Sequence, residues 1–192
     1  TDQEIFTMEE LIQAFSLEKV SKSGARFSPE KATWFNHQYV QLKSVEELLP
    51  SFEEVLKENG IEANPVLDAK VVELLKERAN FVQDIFTQGQ FFYIAPSSYD
   101  EKAAKKAWKD DSKEILGKFV EVLNSAEFTV EVLHDAMADF VTAQEIGFGK
   151  IGMPLRLSLV GALQGPDVPM IMSTLGKDET IARINKAIEV LG

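Results

Sequence analysis

The sequence predicts an all-α fold, and three observations carry that prediction. Ser, Thr and Asn recur where a helix would start, followed three residues later by Glu or directly by Pro. Apolar residues then return every three or four positions, which is the spacing of one helix face. The sequence lacks alternating apolar and polar runs of the length that a half-buried strand needs.

The first half of the chain contains the clearest helix starts. Residues 7–10 and 44–47 begin with Thr or Ser and end with Glu, which is the capping-box pattern. Ser-Pro at 28–29 and Asn-Pro at 64–65 place an N-cap residue before a proline in the first helical turn. Four helix starts are therefore expected in this half.

Prolines and glycines set the expected ends of these helices. Pro50 predicts an interruption, so we expect two short helices after residue 44, the second ending at Gly60. The helix that begins at residue 65 should run to about Arg78, and a short helix should follow over residues 81–86.

The second half continues the helical pattern. A helix is expected to begin at Ser98 and the acidic residues after it, and residues 110–124 should form another. Thr129 opens a long amphipathic helix that Gly147 and Gly149 are expected to end.

The last part of the chain predicts short elements before a final helix. Residues 154–166 form an apolar segment bounded by prolines, and residues 170–175 a short helix. Asp178 is expected to cap a final helix that ends at Leu191. The aromatic break before residue 100 predicts two helical subdomains that meet near residues 93–100.

Composition excludes several classes of protein. The chain has 192 residues, a net charge of −11 and no cysteine, which excludes disulfides, cysteine–zinc sites and thiol nucleophiles. It contains no apolar run of 18 residues and no signal-peptide pattern, so we expect no membrane association and a cytoplasmic location. Because it lacks an initiator methionine, we expect a segment of a longer protein.

The charges are segregated along the chain. Residues 16–43 carry five basic and two acidic side chains, and residues 146–166 contain no acidic side chain. The six acidic side chains within residues 121–145 have no Lys or Arg among them. Basic clusters suit phosphate binding, although such charge runs are also typical of solvated helix faces.

No motif indicates a catalytic or metal site. His37 and His134 are far apart, and neither has the partner that would orient a general base. Patterns typical of zinc proteases, serine hydrolases and phosphate-binding loops are missing. A stand-alone enzyme stays open only as the weakest of three readings.

Residues 19–23, Lys-Val-Ser-Lys-Ser, resemble the KMSKS loop with which class I aminoacyl-tRNA synthetases handle ATP. That loop requires an upstream nucleotide-binding domain with a His-x-Gly-His signature, and the sequence lacks this signature. Lysines, serines and a glycine instead suit contact with an RNA backbone, so we expect a backbone-gripping loop.

A longer match gives the resemblance to a family. Residues 11–40 resemble the segment after the KMSKS loop of bacterial glutamyl-tRNA synthetases, and Pro-Leu-Arg at 154–156 and the segment 175–184 resemble that family's closing motifs. The resemblance implies an elongated all-α body. It divides into the end of a stem-contact region (1–44) and two helical anticodon-binding subdomains (45–98 and 99–192).

The resemblance also implies a function and its partners. The complete enzyme attaches glutamate to tRNA with ATP and magnesium, whereas this segment would lack the catalytic domain and need no cofactor. Its expected partners are the tRNA for glutamate and the catalytic domain of the same chain, and we expect a monomer. A helical protein-interaction scaffold is the alternative that the acidic surface permits.

Specific roles follow from matching positions. Arg78 resembles the arginine that faces the third anticodon base, and Arg156 the arginine that meets the first. The remaining matches are a cleft near the middle base (Gly165, Pro166, Val168), a phosphate contact (Lys150) and contacts to the tRNA stem (Ser23, Arg26, Lys31).

The sequence departs from the family pattern at Met153 and Gly165, where polar side chains can occur, which weakens the assignment of base contacts. Two simpler interpretations stay open as well. Arg78 could only pair with a helix acid, and Trp34 is expected in the core rather than on an RNA surface.

Overall fold

The computed structural model describes residues 3–20, 23–24 and 26–192, and the fold of these residues is all α, as predicted. The helices are α1 (Met8–Ala14), α2 (Pro29–Leu42), α3 (Val45–Glu58), α4 (Pro65–Leu75), α5 (Val82–Gly89), α6 (Glu101–Ala107), α7 (Ser112–Ser125), α8 (Val130–Ala143), α9 (Gly149–Val160), α10 (Val168–Leu175) and α11 (Lys177–Leu191). Three short 3-10 helices connect them, at Leu17–Lys19, Lys76–Arg78 and Gln90–Phe92.

The four helix starts predicted in the first half of the chain are confirmed by their hydrogen bonds. The hydroxyls of Thr7 and Ser44 each accept a bond from the backbone N–H three residues on, and the Glu at that position accepts a bond from the backbone N–H of the cap residue. The side chain of Asn64 accepts from the backbone N–H of Leu67 at 3.2 Å. Local sequence therefore decides where these helices begin.

Two prolines lie inside helices without interrupting them. Helix α3 is continuous through Pro50, and α9 includes Pro154, where the sequence predicts the start of an apolar segment bounded by prolines. In α3, Leu48 and Phe52 are buried on either side of the proline. Burial of these side chains outweighs the hydrogen bond that the proline cannot donate.

Two predicted helix boundaries are also wrong. Helix α8 ends at Ala143, before the glycines, and Gly149 begins α9 instead of ending α8. The final helix begins at Lys177, so Asp178 lies in its first turn and does not cap it. An acidic side chain in the first turn interacts favourably with the helix dipole and needs no capping hydrogen bond to do so.

One hydrophobic core includes residues from both sides of the predicted boundary near residue 98. Phe52, Leu75 and Ile85 belong to the same buried cluster as Phe119 and Met172. Helix α10 contacts α4 and also packs on α8, α9 and α11. The contact between α10 and α4 brings residues after 160 next to residues before 80.

The N-terminal region, by contrast, leaves large apolar side chains exposed. Leu17 is 80% exposed and Phe27 78% exposed. Trp34 is 41% exposed, so the prediction that it lies in the core is wrong. No helix among the described residues is long and apolar enough to cross a membrane.

Candidate nucleic-acid interface

Arg156 projects from α9 and is held by the loop that follows this helix. Its Nη1 donates to the carbonyl oxygens of Gln164 at 3.4 Å and Gly165 at 3.1 Å, and also to that of Pro166. Within the described residues, Nε and Nη2 make no hydrogen bond. One edge of the guanidinium is therefore fixed by the protein, and the other donors remain available to a ligand.

Two glycines with positive φ make this loop possible. Gly161 ends α9 at φ +80°, and an added Cβ would lie 2.9 Å from the carbonyl oxygen of Ser98. Gly165 has φ +108°, which L side chains rarely adopt. The loop can therefore turn back and present its carbonyls to Arg156.

The charge of Arg156 is influenced by its surroundings. Partial burial lowers the pKa of its guanidinium, Asp167 raises it and Arg78 lowers it. An arginine keeps its proton in such a site, so the group is a permanent cation. Arg78 therefore acts on this charge electrostatically, although the two arginines are 78 positions apart in sequence.

Arg78 is the last residue of the 3-10 helix at Lys76–Arg78, and its side chain is exposed. Among the described residues it makes no ion pair, so the interpretation that it only pairs with a helix acid is wrong. Side chains of α2 and α5 hold the backbone around it. Gln41 donates to the carbonyl of Lys76 at 2.7 Å, and Gln88 donates to that of Arg78 at 3.2 Å.

Two adjacent depressions connect these arginines. The first has a volume of about 420 Å³ and is lined by Arg156 and Val168. The second, of about 620 Å³, is lined by Arg78 and Pro166. Both are also lined by Val130, Asp167 and Met170. We call the two together the arginine groove.

Four predicted residues thus line the arginine groove, and Gly165 lies beside it. Val168 and Pro166 are buried, and Gly165 is half-buried. The sequence did not single out Phe148, which is 50% exposed and lines the same depression as Arg156. Only its exposure distinguishes this aromatic ring from core phenylalanines, and exposure depends on the fold.

Lys150 lies outside the arginine groove. It forms an ion pair with Asp111 and lines a separate depression between α9 and the end of α6. A hydrogen bond from Lys150 lowers the pKa of the Asp111 carboxyl. This pairing joins residues 39 positions apart, so the acid-free sequence around Lys150 did not reveal it.

The predicted stem contacts lie in the N-terminal region. Ser23 and Arg26 are exposed. Lys31 forms an ion pair with Glu4 at 2.8 Å and lies 5.5 Å from the ring centroid of Phe35. Lys22, the centre of the predicted backbone-gripping loop, lies outside the described residues. Of the described residues, neither Ser23, Arg26 nor Lys31 lines the arginine groove.

No group of three or more potential metal ligands occurs among the described residues. The acidic side chains of α8 are exposed, as a solvated face requires. His134 is also exposed, beside Asp135 at 3.5 Å. The arrangement therefore offers two arginines, an exposed aromatic ring and a shallow apolar floor, a combination suited to unstacked bases.

Comparison with known proteins identifies the family. A family model described as an anticodon-binding domain matches residues 43–188. The chain belongs to the anticodon-binding domain family. The match covers all residues that line the arginine groove.

The whole chain is also similar to parts of longer enzymes. It is 46% identical over 192 residues to the glutamate–tRNA ligase of Christiangramia forsetii and 45% identical to that of Porphyromonas gingivalis. Each alignment covers 100% of this chain but only 38% of the ligase it matches. The predicted resemblance to glutamyl-tRNA synthetases is confirmed.

Solved structures support the same family relationship. A glutamate tRNA ligase from Elizabethkingia meningosepticum, crystallised in complex with its amino acid, superposes with a TM-score of 0.94 at 50% identity. The alignment covers 99% of this chain and 38% of that one. The glutamate–tRNA synthetase of Elizabethkingia anophelis gives a TM-score of 0.88 over 98% of this chain. The anticodon-binding domain therefore has the fold of the matching part of these ligases.

Proposed function

We propose that this chain recognises the anticodon loop of the tRNA for glutamate within a glutamate–tRNA ligase. The observation that carries the proposal is that Arg78 and Arg156 line one continuous groove on one side of the fold. A single RNA loop can then contact both. Each guanidinium has donors that suit the acceptor edges of bases.

Each base contact is assigned to a part of the groove. Arg156 contacts the first anticodon base and Arg78 the third. Gly165, Pro166 and Val168 form the cleft near the middle base. Lys150 contacts a phosphate, for which it must share its charge with Asp111.

The N-terminal region has two proposed roles. Ser23, Arg26 and Lys31 contact the tRNA stem, and the exposed apolar side chains of this region pack on the catalytic domain of the same chain. The exposure of Leu17 and Phe27 supports the second role, as does the length of the relatives, of which this chain spans 38%. ATP and magnesium would act in that catalytic domain.

The proposed organisation keeps three parts: the stem-contact region (1–44) and the subdomains 45–98 and 99–192. The shared core means that the two subdomains form one structural unit. We propose that the protein acts as a monomer in the cytoplasm.

Binding of altered tRNAs tests the proposed function. The chain is titrated with the tRNA for glutamate, and with the same tRNA carrying a replaced first or third anticodon base. Each replacement should weaken binding by about 1–3 kcal/mol. Equal affinity for all three tRNAs would contradict the proposal. Binding of a protein partner to the acidic surface of this chain, without tRNA binding, would favour the scaffold alternative.

A further inference from the structure

A third depression continues the arginine groove on the side of α6. It has a volume of about 290 Å³ and is lined by Lys106, Lys109 and Lys150, with Ser112 between them. All three lysines are exposed. We call this depression the lysine groove. On a chain with a net charge of −11, three lysines around one depression stand out from the rest of the surface.

The lysine groove and the arginine groove are neighbours. Gly149 and Met153 line both the lysine groove and the depression that contains Arg156. That depression in turn adjoins the one that contains Arg78. The three depressions therefore follow one another along the surface, with lysines at one end and the two arginines beyond.

The charges of the lysine groove leave a positive excess. Asp111 pairs with Lys150 and offsets one of the three lysines. Lys109 donates one bond to the carbonyl of Lys105 at 2.8 Å, at the end of α6, which leaves two of its three hydrogens free. Lys106 makes no ion pair among the described residues.

Lysine and arginine suit different parts of a nucleic acid. The lysine ammonium group is a compact charge that binds phosphate without reading sequence, whereas the planar arginine fork suits base edges. We infer that the lysine groove binds backbone phosphates of the RNA strand whose anticodon bases enter the arginine groove. This inference rests on the proposed function and adds Lys106 and Lys109 as contacts that are independent of base identity.

Salt dependence tests this inference. The double variant Lys106→Ala/Lys109→Ala is titrated with the tRNA for glutamate at several salt concentrations. Loss of two phosphate contacts in a single-stranded loop should reduce the slope of log affinity against log salt by about 1.4. At low salt, affinity should fall on the order of 10- to 30-fold, equally for tRNAs with intact and replaced anticodon bases.

A matched control separates groove contacts from net charge. Lys118 and Lys186 pair with Glu114 and Glu189 and do not line any of the three depressions. The double variant Lys118→Ala/Lys186→Ala has the same net charge as the groove variant, and we expect it to keep the slope of the unchanged protein. The double variant Lys106→Arg/Lys109→Arg should keep most of the slope that the alanine variant loses, because arginine keeps the positive charge.

The outcomes distinguish the inference from the proposed function. An unchanged slope in the groove variant, with anticodon preference intact, would overturn the inference alone. No anticodon preference in the unchanged protein would overturn the proposed function and the inference with it. Polyglutamate serves as a probe for an acidic peptide. If the groove variant loses polyglutamate binding but keeps its tRNA affinity and slope, the inference is wrong.

Discussion

Nη1 of Arg156 lies 3.1 Å from the carbonyl oxygen of Gly165, and this hydrogen bond fixes the guanidinium before any RNA arrives. An arginine that is already ordered loses less side-chain entropy on binding than a free one. Gly165 itself has a backbone conformation that L side chains rarely adopt. Its φ of +108° lets the loop reach back to Arg156.

Replacement of Arg156 should separate affinity from specificity. We expect Arg156→Ala to lose about 1–3 kcal/mol of binding and most discrimination at the first anticodon base. Arg156→Lys should keep part of the affinity but not the discrimination, because an ammonium group cannot bond the loop and a base edge in one plane. Calorimetric titration with tRNAs that differ at the first base measures both. Preserved discrimination in Arg156→Lys would contradict this role.

A side chain at position 165 should destabilise the fold. Gly165→Ala forces a positive φ on alanine and should lower the free energy of unfolding by about 1–2 kcal/mol. Gly117→Ala is the matched control. Gly117 lies within α7, and an added Cβ would meet nothing within 4 Å, so alanine should be neutral or stabilise by up to about 1 kcal/mol. Urea denaturation measures the free energy of unfolding of both variants. Equal values would contradict this prediction and mean that the loop around residue 165 relaxes to accept alanine.

Arg183 should be essential to the joint between the two halves of the fold. It is 5% exposed, and its Nη1 donates to the carbonyls of Phe91 at 2.6 Å and Leu159 at 2.8 Å. Arg183→Ala leaves both carbonyls without this donor, so the free energy of unfolding should fall on the order of 3 kcal/mol.

The control for Arg183 lies one turn along the same helix. Lys186 is exposed and pairs with Glu189, so Lys186→Ala should change stability by less than about 0.5 kcal/mol. Thermal unfolding of both variants measures the difference. Similar losses in both would mean that the bonds of Arg183 add little.

Stability should fall at alkaline pH because of Tyr93. Burial, followed by the hydrogen bond to Asp68 at 2.9 Å, raises the pKa of the Tyr93 hydroxyl above its usual value of about 10. The folded protein therefore holds this proton more tightly than the unfolded chain does. Its contribution is complete below pH 10 and decreases as the pH rises beyond that value.

Tyr93→Phe tests the alkaline effect. At pH 7 the variant should be less stable by about 1–3 kcal/mol, because it leaves an oxygen of the buried Asp68 without a donor. Above pH 10 its stability should fall less steeply than that of the unchanged protein. Burial also raises the pKa of Tyr99, so Tyr99→Phe is measured beside it. Identical pH profiles for Tyr93→Phe and the unchanged protein would contradict the assignment.

The sequence predicted local structure better than spatial relationships. The caps at Thr7, Ser44 and Asn64 are local hydrogen bonds between residues a few positions apart, so sequence alone identified them. The break expected at Pro50 did not occur, because burial of neighbouring side chains outweighs the local cost of proline.

For the candidate site too, the sequence did not reveal which residues lie together in space. Matching motifs predicted RNA contacts at Arg78 and Arg156, and the packing of α10 against α4 shows how the two residues come to line one groove. The pairing of Lys150 with Asp111 and the exposure of Phe148 also depend on the fold. The proposed stem contacts Ser23, Arg26 and Lys31 still rest on sequence.

The most direct test is a nuclease footprint of the chain on the tRNA for glutamate. We predict protection of the anticodon loop and of a patch on the inner stem, with the loop protection lost in Arg78→Ala/Arg156→Ala and the stem protection retained. An unprotected anticodon loop, or loop protection that survives in the double variant, would contradict the claim that the arginine groove holds the anticodon.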